Sequence, residues 1–357
     1  MIEKRIGQKT YELTEKDWDS IASLRAIRFA KSMSLEETSR TAVELHLFSF
    51  LKEFPDIEEL PESEINKIER LSNLEKSMKN PLNPLPPTGL ELEVKWSLIS
   101  EAKLDILTQF DLPKGPEQLY PDYFEFRPKF SYSAEIQARI IQELFLSGVI
   151  PSIENNSEIK FGDTSLHVNF GIPRDIRNYI YIKDASTQTS KPNPNISILN
   201  AASVIAFASP ERLGSRKTEQ SFRTNIGIPS LKSGLDRLEF RMFEMRDKST
   251  FRMIKELQLM VGAMFSHFRK GRSDTFSKKR DQIPSLVWEQ FFDEVCIIFE
   301  SFEVDPYREH RDENKDYLKK FTEKTELVKK LRSVFTKYAI KMSQYIHEEF
   351  PLYRLDD

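Results

Sequence analysis

The chain of 357 residues has 53 lysines and arginines against 56 aspartates and glutamates, a formal net charge of −3. That near balance does not indicate nucleic acid or a membrane surface as a partner, and a lone cysteine, Cys296, excludes an intrachain disulfide. No window has the roughly 18 apolar residues of a membrane span, and no apolar signal segment follows Met1. We therefore expect a soluble, cytoplasmic protein.

Residues 1–84 are expected to form a helical N-terminal extension. Ser34, with Glu37 three residues later, predicts a capping box at the start of a helix. His46 has apolar neighbours and is expected to be a satisfied structural histidine. The prolines between positions 81 and 87 predict a stiff connector that ends the helical region. Apolar residues recur at the helical period in three stretches: Trp18, Ile21, Leu24 and Ile27; Leu35, Ala42, Leu45, Phe48 and Leu51; Ile65, Ile68 and Leu71.

The pattern changes at residue 85, and residues 85–246 are expected to form an α+β domain. Residues 247–357 return to the helical period and predict a helical C-terminal extension, with apolar stripes in three stretches between 251 and 350. The last of these stretches predicts a long helix over 318–350. In the α+β region, strands are predicted over 88–96, about 120–130, about 159–172 and about 237–245, and helices near 97–110, 133–148 and 197–208.

The first predicted strand of the α+β region has two glutamates on one face. Glu91 and Glu93 alternate with apolar residues, so they point to the same side of the strand. Like charges at this spacing repel unless a cation lies between them, and hard cations such as Mg²⁺ prefer carboxylate oxygens. A polar face that meets water produces the same pattern, so this strand leaves both interpretations open.

Three later strands also have charged or polar residues on one face and apolar residues on the other. Glu125 and Arg127 alternate with phenylalanines, and His167 and Asn169 alternate with aliphatic and aromatic residues. A lone histidine on a strand is usually structural, but this one points away from the apolar row. In the last strand the polar face is predicted to hold Arg237, Glu239, Arg241 and Phe243, and the apolar face Leu238, Phe240 and Met242.

These four segments, in this order, resemble the glutamine synthetase-like carboxylate–amine ligases, in particular the branch called amidoligases. That family has a Glu-x-Glu strand, a strand with a further metal-binding glutamate, a His-x-His-like strand and a late Arg-x-Glu-x-Arg strand. The resemblance covers about 88–246 and implies a curved antiparallel sheet, a partial barrel, flanked here by the helical extensions. The matching segments are Glu91-Leu92-Glu93, Glu125, Leu166-His167-Val168-Asn169 and Arg237-Leu238-Glu239-Phe240-Arg241.

The resemblance also implies roles for individual residues. Arg241 would face the transferring phosphoryl group or the substrate carboxylate, and Arg223 matches the first arginine of a family segment ending in Ile-Pro. Asn169 stands at the second histidine of His-x-His, and Gly227 stands where a second arginine is expected. Further contacts to substrate or ATP are expected from Arg212, Arg216, Asn169 and Arg237, and the ligands of two or three Mg²⁺ or Mn²⁺ ions are expected to be Glu91, Glu93, Glu125, His167 and Glu239.

The implied activity is ATP- and Mg²⁺-dependent formation of an amide or isopeptide-like bond between a carboxylate and an amine. A carboxylate is a poor electrophile, so it first attacks the γ-phosphate of ATP and becomes an acyl phosphate. The substrates would be small molecules or peptides, and the oligomeric state stays open. Two alternatives remain at this stage. One is a γ-glutamyl–cysteine-type ligase or phosphotransferase on the same fold, and the other is a noncatalytic member that acts as an interaction module.

Overall fold

The computed structural model describes residues 1–110, 123–150, 164–183, 190–208, 237–243, 248–270, 275–307 and 317–355. Within those ranges the protein is α+β, as predicted, and helices predominate. No helix in them is long and apolar enough to cross a bilayer. The strands are β1 (Ile2–Ile6), β2 (Lys9–Leu13), β3 (Thr88–Lys95), β4 (Tyr123–Phe126), β5 (Thr164–Gly171), β6 (Tyr181–Lys183), β7 (Ser190–Pro192) and β8 (Arg237–Phe243).

The helices follow the predicted order. Short 3-10 turns occupy Trp96–Leu98 and Arg174–Ile176. The α-helices are α1 (Glu15–Ser32), α2 (Glu37–Glu53), α3 (Glu62–Met78), α4 (Glu101–Gln109), α5 (Ala134–Leu146), α6 (Arg177–Ile180), α7 (Pro194–Phe207), α8 (Lys248–Arg269), α9 (Thr275–Ser301), α10 (Lys319–Thr322) and α11 (Thr325–Glu349).

Contacts divide the chain into two compact units, and each unit is discontinuous in sequence. The first unit consists of Met1–Asn80, Gly89–Thr164 and Met245–Phe251. The second consists of Pro81–Thr88, Ser165–Glu244 and Arg252–Asp357. The expected division into an N-terminal extension, a ligase-like domain and a C-terminal extension stays a prediction.

The first unit begins with an antiparallel hairpin that the helical interpretation of residues 1–84 did not include. Ile2 lies opposite Leu13 and Ile6 opposite Lys9. Gly7 in the turn has a φ of +59°, a left-handed conformation that glycine adopts without strain. Nearly all hairpin side chains are exposed or half-buried, so the segment has no apolar face that would mark it in the sequence.

Helix α1 buries a different face from the predicted one. Trp18 is buried as expected, but Leu24 is 61% exposed. The side chains that point inward are spaced four residues apart, and most of them are alanines: Trp18, Ala22, Ala26 and Ala30. Small residues let a neighbouring helix approach closely, and α1 packs against α2 and α4. The buried face of α1 therefore differs from the face that the larger apolar residues predicted.

Helix α2 begins at Glu37, and the capping box predicted at Ser34 does not form. The capping position is Glu36, whose side chain makes no capping bond. A capping box does form at the start of α1, where Asp17 N donates to Thr14 Oγ1 and Thr14 N donates to Asp17 Oδ2. Four predicted core positions are confirmed, because Ala42, Leu45, Phe48 and Leu51 are fully buried. Leu35 precedes the helix and is only half-buried.

In the second unit, the proline-containing segment Pro81–Thr88 is packed and does not behave as a bare connector. Gln258 Nε2 of α8 donates to Pro86 O at 2.8 Å, and Gly171 N of β5 donates to Pro87 O at 2.9 Å. A Cβ added at Gly262 of α8 would lie 2.8 Å from Leu85 Cδ2. Glycine therefore lets both a strand and a helix approach this segment closely.

The core of the second unit surrounds α7, which is buried along nearly its whole length. It packs against α9 and α11. The rings of Phe207 and Phe335 are 5.0 Å apart, and Arg332 Nε donates to Ala206 O at 2.6 Å. Trp288 Nε1 donates to Asn195 Oδ1 at 2.7 Å. Because other elements surround α7, it has no solvent-exposed polar face, and its polar residues Ser197, Asn200 and Ser203 are buried too.

Candidate metal-ligand residues

In the first unit, β3 and β4 pair antiparallel and separate charged from apolar residues as predicted. Glu93 lies directly opposite Glu125 in the register. Glu91 is two residues before Glu93 and therefore on the same face. The other face is fully packed: Leu92 lies opposite Phe126 and Val94 opposite Phe124, and all four are buried.

The carboxylates of this pair lie in a partly buried, electrostatically crowded place. Glu91 is 4% exposed, and Glu93 and Glu125 are half-buried. Arg127 Nη2 is 2.7 Å from Glu125 Oε1, and its Nε is 3.8 Å from Glu91 Oε1. Burial raises the pKa of the Glu125 carboxyl, and the charges of Glu91 and Glu93 raise it further, against the opposing effect of Arg127. Such crowding favours the binding of a cation.

In the second unit, β5 and β8 pair antiparallel with the same separation of faces. Asn169 lies opposite Glu239, His167 opposite Arg241 and Gly171 opposite Arg237. On the other face Val168 lies opposite Phe240 and Phe170 opposite Leu238, and these four are buried. Four strand segments were expected to have polar residues on one face and apolar residues on the other, and the pairings confirm that separation except at Phe243.

One residue of β8 was assigned to the wrong face. Phe243 was predicted to share the charged face with Glu239 and Arg241. The register shifts between Leu166 and His167, so that Phe243 lies opposite Leu166, on the apolar side, and is 1% exposed. A β-bulge inserts one residue and reverses the alternation beyond it, which no alternation pattern alone reveals.

His167 and Glu239 lie together on the polar face of the β5–β8 pair. His167 Nδ1 is 3.5 Å from Glu239 Oε1, and the two residues are 6% and 1% exposed. Arg237 Nη2 is 4.0 Å from Glu239 Oε2. Ser165 Oγ is 3.3 Å from His167 Nε2. Sequence reasoning missed Ser165, although its position two residues before His167 on the same strand places it on the same face.

Not every predicted site residue can be placed. Arg212, Arg216 and Arg223 lie outside the described residues, as does Gly227. For Arg241 the strand and its register are described, opposite His167. The structure places the other candidate residues in two separate groups. The group in the first unit, on β3 and around β4, consists of Glu91, Glu93, Glu125 and Arg127. The group in the second unit, on β5 and β8, consists of His167, Asn169, Arg237 and Glu239.

Comparison of the chain with protein-family models, with curated proteins and with solved structures gave no match. The resemblance to the carboxylate–amine ligases therefore depends on the residues of the four strands alone.

Proposed function

We propose that this protein is an ATP- and Mg²⁺-dependent carboxylate–amine ligase whose α+β region adopts a glutamine synthetase-like curved sheet. The observation that carries the proposal is burial. If the polar strand faces simply met water, their side chains would be exposed. Instead Glu91, His167 and Glu239 are 4%, 6% and 1% exposed, and buried ionisable groups of this kind occur where partners or metal ions compensate for lost hydration.

A carboxylate and an imidazole are donors suited to a divalent ion, and we assign the first ion to His167 and Glu239, whose Nδ1 and Oε1 atoms are 3.5 Å apart. Glu91, Glu93 and Glu125 are proposed as ligands of a further ion. Mg²⁺ and Mn²⁺ fit a set dominated by carboxylate oxygen better than Zn²⁺, which favours nitrogen and sulfur. Such ions neutralise charge on the phosphate groups of ATP when bound.

The proposed reaction has two steps. A carboxylate oxygen of the first substrate attacks the γ-phosphorus of ATP, and the bond to the β–γ bridging oxygen breaks to release ADP. The amine nitrogen of the second substrate then attacks the acyl carbon, loses a proton to solvent, and phosphate leaves. Arg241 and Arg223 are proposed to contact the transferring group. Arg212, Arg216 and Arg237 are proposed to contact ATP or substrate.

The first test is ligand-dependent stability. Mg²⁺ with a non-hydrolysable ATP analogue should raise the melting temperature of the wild-type chain by several degrees, because a ligand that binds only the folded state stabilises it. Glu93→Gln and Glu239→Gln should each abolish the rise, while the exposed Glu12→Gln should keep it. A wild-type chain with no shift at millimolar ligand would contradict the proposal.

The second part of the test identifies the reaction class. ADP release is measured with pairs of amino acids and peptides. In each pair one compound supplies the carboxylate and the other the amine, and the two roles are then exchanged. A ligase requires both partners for full ADP release. Release that needs only one partner indicates a phosphotransferase, and nucleotide binding without turnover on any pair indicates the noncatalytic alternative.

A further inference from the structure

Asn169 of β5 has a buried amide oxygen. The residue is 8% exposed, and among the described residues Oδ1 has no partner. Buried polar atoms in native proteins nearly always have a partner, so each exception calls for an explanation. The sequence predicted a contact from Asn169 to substrate or ATP, and its surroundings point to a narrower role.

The residue that faces Asn169 across the strand pair is an acceptor as well. Glu239 lies directly opposite it in the antiparallel register, where side chains of facing residues are about 4.5–5.5 Å apart at Cβ. An ionised carboxylate only accepts hydrogen bonds, so it cannot satisfy an amide oxygen. His167, two residues before Asn169 on the same face, has Nδ1 3.5 Å from Glu239 Oε1. One face of β5 and β8 therefore holds an amide oxygen, a carboxylate and an imidazole.

We propose that Asn169 Oδ1 is a ligand of the divalent ion assigned to His167 and Glu239, and that it makes the site selective for hard cations. This inference depends on the metal site of the proposed function. A cation satisfies two facing acceptors at once, which a hydrogen-bond donor with one proton does not. An amide oxygen beside a carboxylate suits Mg²⁺ and Mn²⁺, whereas imidazole or thiolate in its place suits Zn²⁺.

The test titrates metal alone into the full-length chain, without nucleotide, by calorimetry. Wild type should bind Mn²⁺ and Mg²⁺, and Asn169→Leu should weaken Mn²⁺ binding at least tenfold. Asn169→Asp should strengthen Mn²⁺ binding, because it replaces a neutral oxygen ligand with a charged one. Asn169→His should raise the affinity for Zn²⁺ relative to that for Mn²⁺.

The melting temperature without metal distinguishes an Asn169 side chain that binds metal from one that only stabilises the fold. Asn169→Leu should raise the melting temperature in chelator, because it removes a buried oxygen that has no hydrogen-bond partner in the described part of the chain. A matched control is Asn195→Leu. The Asn195 amide oxygen accepts from Trp288 Nε1 at 2.7 Å, so its loss should lower the melting temperature and leave Mn²⁺ affinity unchanged.

The outcomes are distinct. A wild type that binds Mn²⁺, together with an Asn169→Leu variant of equal affinity, overturns the inference and leaves the ligase proposal standing. An Asn169→Leu variant that melts at a lower temperature without metal and keeps its Mn²⁺ affinity identifies a structural amide and also overturns it. A wild type that binds neither Mg²⁺ nor Mn²⁺ at millimolar concentration overturns the metal site itself.

Discussion

His46 lies between two carboxylates from different helices of the first unit. Its Nε2 is 2.7 Å from Glu64 Oε2 on α3, and its Nδ1 is 3.0 Å from Glu143 Oε1 on α5. Lys67 Nζ is 2.6 Å from Glu64 Oε1, and Arg139 Nη1 is 3.9 Å from Glu143 Oε1. The expectation of a satisfied structural histidine is confirmed, and its carboxylate partners make it sensitive to pH.

Protonation of His46 should stabilise the fold. Burial alone would lower the pKa of His46, but the hydrogen bonds and charges of Glu143 and Glu64 outweigh it, so the pKa is raised. A raised pKa gives stability that is fully present below the unfolded value, about 6.5, and is lost as pH rises through the folded pKa. We therefore expect the difference in unfolding free energy between wild type and His46→Gln to shrink as pH rises above about 6.5.

Urea unfolding at several pH values from about 5.5 to 8.5 measures that difference. Glu143→Gln, which keeps the shape of the side chain and removes one of the two charges, should show a weaker pH dependence than wild type. A wild-type-minus-His46→Gln difference that stays constant across this range would show that the pKa of His46 is the same in the folded and unfolded states.

At the candidate site, the sequence was a good guide to the face on which each residue lies. Alternation is a local property of a strand, so Glu91, Glu93 and Glu239 could be assigned without knowing their neighbours. Phe243 was misassigned because a bulge depends on the partner strand. The unsatisfied oxygen of Asn169 was not predictable either, since satisfaction depends on atoms distant in sequence.

At the scale of elements, a capping motif in the sequence does not always form the cap at the start of a helix, because a long-range hydrogen bond can replace it. Ser34 and Glu37 match a capping box, yet the backbone N–H of Glu36 donates to Ser72 Oγ of α3 at 2.9 Å. A long-range hydrogen bond thus satisfies a donor close to the predicted cap. Ser133, which precedes α5, forms a side-chain cap instead: its hydroxyl oxygen accepts from Glu135 N at 3.2 Å.

Removing the Ser133 cap should destabilise the protein, and removing the hydroxyl of Ser34 should not. Ser133→Ala is expected to reduce the unfolding free energy by about 1 kcal/mol, the usual cost of losing an N-cap. Ser34→Ala is the control, because surface changes away from such features are usually within about 0.5 kcal/mol of wild type. Equal effects of the two substitutions in denaturant unfolding would show that the hydroxyl at Ser133 has no capping role.

Most helices were predicted from apolar periodicity, and the structure bears them out at α2, α3, α5 and α7. The exceptions have physical causes. The β1–β2 hairpin has no buried face, and the core side of α1 consists mainly of alanines, which a search for large apolar residues passes over. The predicted helix over 318–350 is interrupted between Thr322 and Thr325, where it divides into α10 and α11.

At the scale of the whole molecule, the chain alternates between its two units, and the proline segment belongs to the second. Gly171 tests how tightly that segment is packed. A Cβ added at Gly171 would lie 2.8 Å from Pro87 Cγ, and a proline ring cannot turn aside as a flexible side chain can.

Gly171→Ala should therefore lower the unfolding free energy by about 1–3 kcal/mol, the typical effect of overpacking. Pro87→Ala removes the ring, so the double variant should lose less than the sum of the two single variants. The check is a double-mutant cycle in urea. Strict additivity would show that the two residues do not clash.

The discontinuity of the second unit has a consequence for synthesis on the ribosome. Helix α7 is buried on all sides, yet α11, which covers part of it, begins more than a hundred residues later. At a synthesis rate of about 5–20 residues per second, α11 is synthesised on the order of ten seconds after α7. During this interval an apolar helix is exposed in the nascent chain, which makes α7 the segment where we expect chaperones to bind first.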